Sequence, residues 1–67
     1  MKIKVNKKML NRFLEIMEEY GEFVFGEEEE IKQQLEICLN NQGYWSACSI
    51  RVFYNKDLKD FKVENRF

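Results

Sequence analysis

Between Asn6 and Gly21 the chain carries one uninterrupted helical pattern, and that pattern limits every fold open to it. At about 100° per residue, Met9, Leu10, Phe13, Leu14, Ile16, Met17 and Tyr20 share an arc of roughly 160°. Every other residue from Lys7 to Glu19 is polar and lies on the opposite arc. Asn6 suits the N-cap, where its side chain can accept from a backbone N–H of the first turn, and Gly21 suits the stop. So one-sided a helix must lay its apolar stripe on another element. The remaining residues have to supply that surface.

They offer a second helix and several strands. "EEEEIKQQLEICLNNQG" places acids in a first helical turn, where the macrodipole favours them. Ile31, Leu35, Cys38 and Leu39 form its core stripe, Ile37 falls off it, and Gly43 ends it. "KIKV" alternates as a short strand with Ile3 and Val5 on one face. Phe23, Val24 and Phe25 read as a brief strand or an apolar connector, since three residues show no period. Tyr44 to Tyr54 alternates as a single strand, "NKD" turns the chain, and "KDFKVENRF" returns with Phe61 and Val63 inward. The expected fold is α+β: two helices packed on one face of a small three- or four-stranded, mainly antiparallel sheet, in the order β-α-(β)-α-β-β. The 67 residues fit a single domain, 1–67.

With Ser46, Cys48, Ile50, Val52 and Tyr54 facing the helices, the other sheet face displays Trp45, Ala47, Ser49, Arg51 and Phe53. Lys2, Lys4, Lys62, Glu64 and Arg66 join them there. A two-layer domain leaves that face uncovered unless a partner covers it. Trp, Tyr and Arg are the residues most enriched at binding hot spots. The expected partner-binding residues are therefore Trp45, Arg51, Phe53, Lys62 and Arg66. Base stacking on Trp45 and Phe53, with the cations on phosphates, is the alternative, a single-stranded nucleic-acid platform.

Charge is segregated behind a net value of −1. Residues 1–12 hold five bases and no acid, whereas residues 13–36 hold nine glutamates against Lys32. Glu22, Glu27, Glu28, Glu29 and Glu30 form an expected acidic patch that steers a protein partner with a basic or mixed-charge surface. The first helix has Lys7 and Lys8 at its start and Glu18 and Glu19 near its end, opposite to its dipole's preference. The acidic half argues against nucleic acid, because it repels the backbone.

Enzyme chemistry is not expected. The chain has no His, so no Ser or Cys sits beside an imidazole base. Cys38 and Cys48, both read as inward, fall short of a four-ligand zinc site, and consecutive helical glutamates do not converge on a cation. "GEFVFG" lacks the Lys and Ser or Thr of a phosphate loop. The element order partly resembles KH RNA-binding domains, but their loop needs a small, usually basic insert between close glycines, and this one is apolar, acidic and too long. No cofactor and no metal are expected.

No apolar run approaches the ~20 residues of a membrane span, and "MKIKVNKK" lacks a signal-peptide core. The expected setting is a bacterial cytoplasm, with reduced thiols and no membrane partner. Phe, Tyr, Met, Ile, Asn and Lys number 31 against 7 for Gly, Ala, Arg and Pro, which points to an AT-rich gene. Small size, charge segregation and that residue usage lead to the expected role. It is a non-enzymatic protein binding a partner protein stoichiometrically, as a phage or mobile-element inhibitor of a host or defence protein. For a phage gene the setting is the host-cell cytoplasm.

Overall fold

A computed structural model describes residues 2–66. Two helices, α1 (Lys7–Glu19) and α2 (Glu28–Asn41), precede three strands, β1 (Tyr44–Ser46), β2 (Ile50–Asn55) and β3 (Asp60–Asn65). The strands form one antiparallel sheet in the order β1-β2-β3. α1 packs against β3 and α2 against β1. The α+β architecture is the expected one, with the helices layered on a three-stranded sheet.

α1 has the ends its sequence asks for. Asn6 Oδ1 accepts from the Met9 amide at 2.9 Å. At the other end the Gly21 amide reaches the Glu18 carbonyl at 3.1 Å, and the Glu22 amide reaches that of Met17 at 2.9 Å. This is the paired closure that a left-handed residue after a helix makes possible, and Gly21 supplies it at φ 69°. The stripe of α1 buries Leu10, Phe13, Ile16 and Met17. They meet Ile31, Leu35 and Leu39 of α2, Ile50 and Val52 of β2, Phe61 of β3, and Val5.

"KIKV" is not a strand. Val5 is buried, but the backbone hydrogen bonds of this stretch go to side chains of α2. The Ile3 amide donates to Asn40 Oδ1 at 2.7 Å, Asn40 Nδ2 returns a bond to the Ile3 carbonyl at 2.9 Å, and the Val5 amide donates to Glu36 Oε2 at 3.1 Å. A side-chain amide thus replaces the neighbouring strand. Alternation gave the right inward residues because burial sets that pattern, whichever group satisfies the backbone. Lys2 and Lys4 consequently lie off the sheet.

Nor is Tyr44–Tyr54 one strand. Trp45 lies opposite Val52 and Ser46 opposite Arg51, and the Ala47 amide donates to the Ile50 carbonyl at 2.9 Å. Only Cys48 and Ser49 remain to make the turn. Directly opposed residues share a sheet face, so a two-residue turn reverses parity. The inward set is odd in β1 (Trp45, Ala47) and even in β2 (Ile50, Val52, Tyr54). Trp45 therefore faces the helices, its ring edge-on to Phe13 with centroids 5.2 Å apart. Cys48, expected inside, is exposed at the turn. Both sheet faces still carry aromatics: Trp45 and Tyr54 pack on the core, and Tyr44 and Phe53 pair on the other face.

Candidate interaction surfaces

The outward sheet face carries Tyr44, Ser46, Arg51, Phe53, Lys62 and Glu64, in the register Tyr44–Phe53, Arg51–Glu64 and Phe53–Lys62. The rings of Tyr44 and Phe53 lie 5.4 Å apart, and the Arg51 guanidinium sits 5.3 Å from the Tyr44 ring centroid. Both rings are half-buried. Arg51, Phe53 and Lys62 are thus brought together as expected, with Tyr44 where Trp45 was placed. Much of that aromatic surface is already covered by its own neighbours.

Trp45 and Arg66 meet elsewhere. With Met17, Glu22, Phe23, Ser46, Ala47 and Cys48 they line a shallow cleft of about 370 Å³. Arg66 Nη1 donates to the Ala47 carbonyl at 2.7 Å, and its amide donates to the Ser49 carbonyl at 3.0 Å. Arg66 therefore closes the β1–β2 turn. Glu22 binds the same turn from the other side: its carboxylate accepts from the Ser49 hydroxyl at 2.6 Å and the Cys48 amide at 3.4 Å. The Ser49 bond is the main cause holding the Glu22 carboxyl below its ordinary range. Glu22 is a clamp between loops rather than a free member of the acidic patch.

The connector 20–27 holds two rings that three residues carry too little period to single out. Val24 turns inward and packs on the core, while Phe23 and Phe25 point to water with 84% and 88% of their surfaces exposed. Their rings stack at 6.2 Å and 25°. Gly26, at φ 120°, leads directly into α2, whose first turn presents Glu28, Glu29 and Glu30. Of the acids at this end, Glu29 has Lys32 as a partner at 3.8 Å. The glutamates at 27–30 thus follow closely in the chain on an exposed aromatic pair, which the sequence reading placed in no site.

The opposite end of α1 is basic. A cleft of about 510 Å³ lies between the start of α1 and the β2–β3 loop, with Met9, Tyr54, Leu58 and Phe61 among its apolar walls. Lys8 and Lys59 border it, and an adjoining hollow adds Lys2, Lys4 and Lys56. Arg12 is occupied by Asp60 and Glu15 at 3.1 and 2.7 Å.

Among the described residues no three acidic or thiol groups converge as metal ligands, and no buried side-chain polar atom lacks a partner. No described helix is long and apolar enough to cross a membrane. Comparison with protein-family models, with curated proteins and with solved structures gives no match.

Proposed function

We propose that the protein is a non-enzymatic binding domain that occupies a basic, apolar-lined surface of a partner protein through Phe23 and Phe25. Glu27, Glu28, Glu29 and Glu30 guide its approach. The supporting observation is the exposure of the two stacked rings. Burying a Phe side chain is worth about 1.5–3 kcal/mol, and this chain leaves two in water at a loop whose central Val24 is inside. Rings have few side-chain torsions to lose on binding, and these two already stack on each other, which favours them as anchors. Inhibition of a host or defence protein in a bacterial cytoplasm is the role we assign to such a domain. The expected nucleic-acid alternative falls on the outer sheet face, where Tyr44 and Phe53 are half-buried and leave less ring for a base to stack on.

The test is affinity capture from lysate of the source cells, with and without nuclease, using three baits. The parent should retain a protein partner, Phe23→Ser/Phe25→Ser should lose it, and Arg51→Ala/Lys62→Ala should keep it. The loss should be at least about 30-fold in affinity, as for hot-spot residues worth 2 kcal/mol. Undiminished capture by the loop variant sinks the reading. Single-stranded nucleic acid retained by the parent and lost by Arg51→Ala/Lys62→Ala would replace it with the alternative.

A further inference from the structure

We infer that the chain itself carries a surface complementary to its aromatic loop, so that copies associate head to tail, Phe23 and Phe25 of one seated in the basic cleft of the next. This rests on the reading of that loop as a binding element and names a second copy as one occupant. The loop and the following turn, residues 20–30, contain no base and, besides the Glu22 clamp, four glutamates at 27–30. The cleft and its adjoining hollow are bordered by Lys2, Lys4, Lys8, Lys56 and Lys59, none of which makes an ion pair among the described residues. Its apolar walls include Leu58, 76% exposed and so an uncovered contact in its own right. At about 510 Å³ the cleft falls within the range of pockets that hold a compact apolar group.

One molecule cannot satisfy both halves. The loop leaves the C-terminal end of α1 and the cleft lies at its N-terminal end, a separation of about 20 Å for 13 helical residues at 1.5 Å each. Each contact joins the loop of one copy to the cleft of another, and each added copy offers a new loop and a new cleft. Copies therefore extend head to tail unless two of them face antiparallel and exchange both contacts as a two-fold dimer. Two rings and a set of exposed ion pairs make a small interface, so association is weak and salt-sensitive. The reversed charges of α1 gain a reason: they cost the helix little and arm its two ends for each other.

Sedimentation velocity of the whole chain, from micromolar to millimolar, tests this. At low salt the mean mass should rise with concentration, and in molar salt association should weaken by roughly tenfold or more. Phe23→Ser/Phe25→Ser keeps the cleft, and Lys8→Glu/Leu58→Ser keeps the loop; circular dichroism checks that both fold. Each should be monomeric alone, and their mixture should form a 1:1 dimer that does not grow. A parent that stays monomeric throughout, a variant that still associates alone, or a mixture that stays apart each overturns the proposal. Monomeric behaviour alongside loop-dependent capture of a foreign partner defeats self-association and leaves the functional reading standing. Pairing of the mixed variants with loop-independent capture does the reverse.

Discussion

Replacing Trp45 with alanine discriminates most sharply between a surface and a core role for the Trp-bearing strand. The ring is half-buried, lies edge-on to the fully buried Phe13, and sits opposite the fully buried Val52. Truncating a fully buried aromatic costs about 3–5 kcal/mol, and partial exposure brings the expected loss at Trp45 to about 2–3 kcal/mol. Of this the edge-to-face pair supplies about 0.5–1.5 kcal/mol. A chain this small has roughly 3–10 kcal/mol in all. At 4–8 °C per kcal/mol for domains of this size, Tm should fall by about 10–20 °C. Trp45 is the only tryptophan, so melting is followed by far-UV circular dichroism rather than fluorescence. Phe25→Ala is the control: it also removes a ring, but one that is 88% exposed, and it should stay within about 0.5 kcal/mol of the parent. Trp45→Phe should recover more than half of the loss by restoring an edge on Phe13. If Trp45→Ala melts within a degree or two of the parent, the parity reversal at Cys48–Ser49 is wrong.

Two further outcomes follow from the turn and its clamp. A thiol reagent under native conditions should label Cys48 quickly, because the turn exposes it, and Cys38 slowly, because burial pushes its thiol up and hides it; equal rates at both would contradict the placement. The Glu22 carboxyl is held below its ordinary range, so its contribution is fully present above that range and is lost as pH falls through its folded value. Acid titration should therefore release the Ser49–Glu22 contact, read as faster amide exchange at Cys48, and Glu22→Gln should remove most of that pH dependence.

What the sequence made legible is what local rules dictate. α1 could be read with both its caps because a 3.6-residue stripe, Asn6 and Gly21 all say the same thing. The last hairpin was legible for a similar reason: Asn55 accepts from the amides of Asp57 and Leu58 at 2.9 and 3.1 Å, a local turn signal. The β1–β2 turn was hidden because Cys48 is not a turn marker, a lone Ser49 is a weak one, and neither takes a positive φ. Without a break the alternation ran on, and every residue before the turn was put on the wrong face. That single error moved Trp45 from core to surface and Cys48 from surface to core. Glu22 and Arg66 read as patch members because nothing local says that Ser49 and Ala47 lie within reach. Phe23 and Phe25 were missed for the opposite reason: three residues carry too little period to show that only Val24 goes in.

The order of elements along the chain has a consequence for synthesis. Both amphipathic helices leave the ribosome before any strand, with Phe13, Met17 and Leu35 bare. Their cover, the stretch Tyr44–Asn65, is made last. Once out, that stretch pairs quickly, because loops of two and four residues close its ladders. Domain formation must nevertheless wait for it, so the nascent chain passes through a stage of exposed apolar helices that invites aggregation. Chaperones that hold such helices until the sheet arrives would shorten that exposure.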